Sequence, residues 1–430
     1  MLALLGFLMI IVFMVLIMSG RLSAMIALIT VPIVFAIIGG FGSEMGPMML
    51  EGIKSVAPTG IMILFAILFF GTLIDAGVFD PIINTILKIV KGDPVKIAIG
   101  TAVLALLISL DGDGTTTYMI TISAMLPLYK RIGMRPIILA GIAVSASGVM
   151  NLLPWGGPTA RVMTALNLEM SDVFTPVIPA MIGGAIFVLF MAFMLGRQER
   201  KRIGIIEVDY KAMIQIAATA EDAHLKRPKL IIFNYALTII LLVALITELF
   251  PPVALFMLGF AIAITVNYPK LKDQKERVAN YADNALSVVS MVFAAGIFTG
   301  ILSGTTMVDA MANTVIQYIP ESMGSHFAII TALISAPFTF FMSNDAFYYG
   351  VLPLLAKAGA VYGIDPSFIG RASLLGLPVH LLSPLVPSTY LLVGMVGEDF
   401  GKLQRIFLKW AFGSTIVMIV VCVILGIIPL

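Results

Sequence analysis

The sequence predicts an all-α polytopic membrane protein. Three observations carry that reading. Of its 430 residues, 60% are hydrophobic and only 12% are charged. Apolar segments of membrane-spanning length, ~20 residues each, follow one another almost end to end. Basic residues gather at alternate ends of those segments. A mean hydropathy of +1.07 lies outside the range of soluble domains. Spans are expected near 1–18, 23–41, 57–75, 134–153 and 172–195, then near 230–249, 251–268, 285–304, 366–385 and 403–428. The first, "MLALLGFLMIIVFMVLIM", has no basic region before it and no small-residue cleavage site after it. It reads as a retained helix and not as a signal peptide. The single cysteine, Cys422, excludes an internal disulfide and argues against a thiolate metal cluster. A net charge of +2 gives no reason to expect a nucleic-acid partner.

Between the third and fourth spans of each set lies an apolar stretch broken in its middle. The breaks are "SLDGDGT" at 109–115 and "FMSNDAF" at 341–347. Gly and Asp there favour a turn over a continued helix. Each stretch is therefore expected to fold as a re-entrant hairpin, about 94–130 and about 323–357, entering and leaving on one side. Short amphipathic segments, "FDPIINTILKIV" and "MVDAMANTVIQYI", precede both. The spans after the hairpins, about 134–167 and about 366–398, are themselves broken, at "LPWGGPT" (153–159) and "SPLVPST" (383–389). These correspondences predict two repeats, 1–196 and 230–430, joined by a solvated cytoplasmic linker, 197–229. Five crossings per repeat is an odd number, so the repeats run in opposite senses. This layout places all but four of the 26 Lys and Arg residues on the cytoplasmic side, as the positive-inside rule requires. The four are Lys54, Arg161, Lys357 and Arg371. Both termini are then expected outside.

Interrupted segments at matching positions of two inverted halves are the best sequence pointer to a transport site. New half-helices are expected to start near Thr115, Thr159, Ala346 and Ser388. Each N-terminus carries unpaired N–H groups and about half a positive charge, so four together would cradle a polyanion. Thr115, Thr116, Thr117, Ser343, Ser388 and Thr389 add hydroxyls, while Asn151 and Asn344 both donate and accept. Gly156, Gly157 and Thr159 of "PWGGPT" complete the candidate substrate set. Asp111, Asp113 and Asp345 would repel a bare carboxylate, so they point to a hard divalent cation, to a transferable proton, or to both. Asp111 and Asp113 have a plainer reading, chiefly for Asp111, as caps of the half-helix after Gly114. Arg161 either pairs with a carboxylate or snorkels to the outer interface. His380, within "GLPVHLLSPLVP", either relays protons or packs as a satisfied core residue. Trp155 either lines the cavity or packs against the neighbouring glycines.

The stretches "SLDGDGTTTYMITISAMLPLYKRIG", "NLLPWGGPTAR", "MSNDAFYYGVLPLL" and "HLLSPLVPSTYLLVG" resemble the CitMHS family of bacterial citrate–metal:proton symporters, within the wider ion transporter superfamily. "FDPIINTILKIVKGDPVKI" and "FAAGIFTGILSGTTMVD" resemble it as well, and the likeness is weakest at 205–228. The resemblance implies two inverted repeats, re-entrant hairpins, and a scaffold on which a transport domain moves as an elevator, usually in a homodimer of the bacterial plasma membrane. It implies uptake of citrate only as a complex with a divalent metal of the Mg²⁺ or Ca²⁺ class, driven by protons, with no cofactor and no enzymatic activity. Asp111, Asp113, Asp345 and His380 would then serve the metal or the coupling protons. Related sodium-coupled carriers bear Ser-Asn-Thr at both tips. "DGDGTTT" and "MSNDAF" depart from that and favour metal or proton over sodium. The alternatives are another superfamily member, namely a di- or tricarboxylate or gluconate permease, or a sodium/proton antiporter. An intramembrane aspartyl protease would need Gly-x-Gly-Asp, and Leu110 breaks that pattern.

Overall fold

The computed structural model describes residues 1–19, 21–206, 224–247, 249–316, 324 and 326–430. Among the described residues there is no strand. The first half runs α1 Leu2–Met18, α2 Ala24–Ile38, α3 Met45–Asp75 and the amphipathic α4 Asp80–Val90. Two antiparallel arms follow, α5 Pro94–Ile108 and α6 Gly114–Ile132, joined through a 3₁₀ turn at Ser109–Asp111. Next come α7 Pro136–Met150, α8 Gly157–Leu166, the single turn α9 Met170–Val173, and α10 Ile178–Ile203.

The second half repeats this order. It runs α11 Ile231–Ile246, α12 Pro252–Asn267, α13 Leu271–Gly304 and α14 Met307–Ile316. Arms α15 Phe327–Phe341 and α16 Leu352–Val361 follow, the latter entered through a π turn at Ala346–Val351. The chain ends with α17 Pro366–Leu374, α18 Leu377–His380, α19 Pro387–Val396 and α20 Phe400–Ile424. Local chemistry sets many of these ends. Asp93, Asp365 and Asp399 cap the helices that follow them, and α8 and α19 both end in the left-handed region, at Asn167 and Gly397.

Among the described residues, six helical stretches are long and apolar enough to cross a membrane: 45–75, 94–111, 170–203, 228–246, 271–304 and 400–424. Two expected spans start earlier than hydropathy placed them. The helix expected at 57–75 begins at Met45, and that expected at 285–304 begins at Leu271. Charged residues such as Glu51, Lys54, Lys275 and Glu276 stop a hydropathy window but not a helix. The expected linker also differs at its ends. Residues 197–203 continue α10, while 224–230 are docked onto the body. Lys226 pairs with Asp80 at 2.9 Å, the Arg227 N–H donates to the Ala76 carbonyl at 2.9 Å, and the Tyr268 hydroxyl donates to the Leu225 carbonyl at 3.0 Å. Residues 207–223 of the linker, the end of "MVDAMANTVIQYI" from 317 and the start of the second hairpin at 323 lie outside the described residues.

Small residues let the helices approach closely. A Cβ on Gly52 of α3 would stand 1.9 Å from the Gly296 carbonyl oxygen of α13, and one on Gly300 would stand 2.4 Å from that of Met48. Helix α7 is buried on every side from Ile137 to Met150, the mark of a helix inside a bundle. Where α7 meets α18, a Cβ on Gly148 would lie 2.9 Å from the Pro378 Cα. A large apolar core surrounds α5–α8, α10 and α17–α20, and a smaller one joins α1, α2 and α13 to the π turn at Ala346 and Tyr349. Each hairpin's second arm packs on the other half's broken helix: α6 lies on α19, and the π turn with α16 lies on α8. That exchange brings the breaks together.

Candidate functional site

At the first tip the chain turns on Gly112, whose φ of 81° lies in the left-handed region. A side chain there would also stand 2.8 Å from the Trp155 Cδ1. The turn delivers Asp113 to the N-cap of α6. Its Oδ1 accepts the Thr115 N–H at 3.1 Å, and its Oδ2 accepts the Thr116 N–H at 3.0 Å and the Thr116 hydroxyl at 2.7 Å. Asp111, 8% exposed, accepts the Asp113 N–H at 2.9 Å. The capping expected chiefly of Asp111 thus falls to Asp113, because the reversal at Gly112 aims only the second carboxylate along the new helix. Thr117 is fully buried, donating to the Asp113 carbonyl at 2.9 Å, with its oxygen 3.1 Å from the Ser109 hydroxyl.

At the second tip, the Ser343 hydroxyl accepts the Ala346 N–H at 3.2 Å, and the Asn344 Oδ1 is buried with no partner among the described residues. Asp345 accepts the Arg161 Nε–H at 2.7 Å, with the two side chains 13% and 18% exposed. This pair ties the second hairpin to α8 of the first half. Of the two sequence readings of Arg161, the structure selects pairing with a carboxylate, and the carboxylate is the protein's own.

The breaks of the two interrupted helices are built alike. The Thr159 hydroxyl donates back to the Leu152 carbonyl at 2.8 Å, and the Thr389 hydroxyl to the Leu381 carbonyl at 2.6 Å. Both threonines are fully buried. The Trp155 indole N–H donates to the Leu110 carbonyl of the first tip at 2.8 Å, and its ring packs on Phe70 and Phe256. In the second half, the His380 Nδ1 meets the Thr339 carbonyl at 2.6 Å and the Ser383 hydroxyl donates to the Phe340 carbonyl at 2.6 Å. His380 therefore supplies a donor to a carbonyl that the end of α15 leaves unpaired. Gly156 and Gly157 make room: a Cβ on the first would lie 2.9 Å from the Leu153 carbonyl oxygen, and on the second 2.7 Å from the Arg161 Nη1. Of the four new helix starts, those of the hairpins carry their own side-chain acceptors, Asp113 and Ser343. Those of α8 and α19 have no side-chain cap. The N–H groups left for an anion are thus those of the interrupted helices.

A narrow crevice is lined by Ser109, Gly112, Asp113, Ser147, Met150 and Asn151. Asp113 and Asn151 were expected there from the sequence; the other four were not. Ser388 joins from the second half: the Ser147 and Ser388 hydroxyl oxygens lie 3.4 and 3.6 Å from where a Gly114 Cβ would stand. The signal for Ser147 is the run of small residues "SASG" just before the break at Asn151. Asp111 and Asp113 belong to one tip and Asp345 to the other. Among the described residues no three His, Cys, Asp or Glu side chains gather to hold a metal ion. The site offers neutral donors, two uncapped helix starts, carboxylates already bonded to backbone or Arg161, and little uncompensated positive charge.

These features define a polytopic helical membrane transporter. The fold is similar to that of the YdaH transporter of Alcanivorax borkumensis, with a TM-score of 0.55 at 15% identity, covering 88% of this chain and 87% of that one. It is also similar to MtrF of Neisseria gonorrhoeae, described among antimetabolite efflux pumps, with a TM-score of 0.59 at 13% identity, covering 90% and 84%. The model of the CitMHS family, citrate transporters, matches residues 2–376, and the chain belongs to that family. Three proteins of Bacillus subtilis (strain 168) are similar along essentially their whole length. A citrate transporter is 63% identical with 100% of both chains covered. The transporter YraO, of uncharacterized function, is 54% identical with 99% of both covered. A Mg²⁺/citrate complex secondary transporter is 52% identical with 99% of both covered. The family and its named members are transporters, not enzymes.

Proposed function

We propose that this protein imports citrate as a complex with a divalent cation of the Mg²⁺ or Ca²⁺ class, in symport with protons. The observation that carries the proposal is the charge of the site. The arginine beside the second tip, Arg161, is largely enclosed and already paired with Asp345, and Asp111 and Asp113 bring carboxyl groups, not cations, to the first tip. Such a site does not suit a bare trianion. Binding one divalent cation reduces citrate from −3 to −1, a charge that the uncapped starts of α8 and α19 and the surrounding hydroxyls can meet. A relative 52% identical to this chain is a Mg²⁺/citrate complex transporter, which supports the same cargo here.

Protons follow from energetics. A cargo of −1 entering against an inside-negative potential of 100 mV is opposed by ~2.3 kcal/mol. Two or more protons per complex reverse that sign and make uptake electrogenic. In this reading Asp113 faces the metal side of the cargo and Asp345 takes up a coupling proton when Arg161 turns to the substrate. The repeats are inverted, the hairpin tips meet near the bilayer midplane, and the site passes from one side to the other by elevator-type motion against a scaffold that includes α3 and α13, in a homodimer.

Calorimetry on the purified protein tests the cargo. Citrate with Mg²⁺ is expected to bind, and citrate with EDTA to give no heat. Equal affinity in both mixtures would overturn the metal-complex reading.

A further inference from the structure

The Tyr118 hydroxyl is fully buried and has no hydrogen-bond partner among the described residues. It stands one turn into α6, beside Ser147, Asp113 and Thr389. None of the three meets it in hydrogen-bond geometry, although Ser147 and Thr389 stand near. Both Asp113 carboxylate oxygens already accept from Thr115 and Thr116, and the Thr389 proton goes to the Leu381 carbonyl. Ser147 and Asp113 line the crevice. The Tyr118 Cε2, Ser147 Oγ and Ser388 Oγ all lie within 3.7 Å of where a Gly114 Cβ would stand, so the missing side chain of Gly114 keeps three hydroxyl-bearing groups around one small space. Buried polar groups are almost always bonded, and an unbonded one lowers stability. A phenol that keeps such a cost directly behind two residues of the crevice lining is placed to bond what enters there.

We propose that Tyr118 is a substrate-positioning residue: its hydroxyl donates to a carboxylate oxygen of the citrate cargo held in the Asp113–Ser147–Asn151 crevice. The inference rests on citrate occupying this crevice and deepens that reading by naming a donor. Tyrosine suits the role because it is neutral, rigid and oriented by a buried ring. As a pure donor–acceptor hydroxyl, it discriminates in favour of an oxygen-rich anion without adding charge to the site.

The test compares the full-length wild type with Tyr118→Phe and Ser147→Ala, each measured for citrate affinity with Mg²⁺ and with EDTA, and for thermal unfolding without ligand. Tyr118→Phe is expected to weaken whichever citrate form the wild type binds by about tenfold, while its ligand-free melting temperature stays level or rises. Ser147→Ala is expected to weaken the same form. A merely structural hydroxyl behaves in the opposite way: unchanged affinity, or a lower ligand-free melting temperature, overturns the proposal. If the wild type binds citrate equally in EDTA, the metal reading fails, while the ratio of wild type to Tyr118→Phe still decides the role of Tyr118.

Discussion

Removing the Asp345 carboxylate leaves the Arg161 guanidinium facing a site where its side chain is only 18% exposed. An uncompensated charge at such a place costs about 3 kcal/mol. Asp345→Asn and Arg161→Gln are each expected to lower stability on that scale, while the double variant loses clearly less than the sum, because both remove one interaction. Chemical unfolding in detergent checks this, and additive losses would contradict the pairing. The same residues show how far the sequence could be read. Carboxylates inside apolar segments stand out, so Asp111, Asp113 and Asp345 were legible. The partner of Asp345 was not, since Arg161 lies 184 positions away and no local pattern joins them. Nor could spacing say which aspartate caps α6. That depends on the left-handed turn at Gly112, which reverses the chain between two residues of equal capping ability. Tyr118 was hidden for another reason: a tyrosine in an apolar helix reads as packing until its hydroxyl is seen without a partner.

Helices were readable where apolar length alone defines them and less so where charge or packing intervenes. The hairpin arms and interrupted helices begin at Gly114, Gly157, Ala346 and Pro387, each within two residues of the expected starts, because Gly, Pro and Asp at the breaks act locally. The starts of α3 and α13 were missed because charge ends a hydropathy window without ending a helix. Their crossing at Gly52 and Gly296 was equally invisible, being a contact between halves. It gives a sharp expectation. Gly52→Ala forces a methyl group to 1.9 Å from a carbonyl oxygen and is expected to destabilise by ~1–3 kcal/mol or more. Gly46→Ala lies in the same helix with nothing within 4 Å of its Cβ and is expected to be tolerated. Thermal unfolding of the two variants checks this. Equal melting temperatures would mean that α3 and α13 do not cross as described.

Across the whole molecule, segments assigned by charge to one side of the membrane touch segments assigned to the same side. Glu199 of α10 is fully buried between Arg135 and Arg202, all three expected on the cytoplasmic side. Arg371 donates to the carbonyls of Asp172 and Ile427, all three expected outside. Such contacts agree with the grouping of these segments on common sides; that both termini face out is a proposal. In a Cys422→Ala background, Ser43→Cys is expected to react with a membrane-impermeant thiol reagent added outside, and Lys201→Cys only after permeabilisation. The reverse pattern would invert the topology. The order of elements in the two halves was legible because turn-forming residues recur at matching places, whereas the packing of each hairpin on the other half's broken helix was not. The most direct measurement is uptake of radiolabelled citrate into proteoliposomes under an inward proton gradient, with EDTA and then with Mg²⁺ or Ca²⁺ supplied singly. Uptake that requires the metal and collapses with a protonophore is the predicted result. Uptake undiminished by EDTA, or indifferent to the proton gradient, would contradict a carrier of metal–citrate driven by protons.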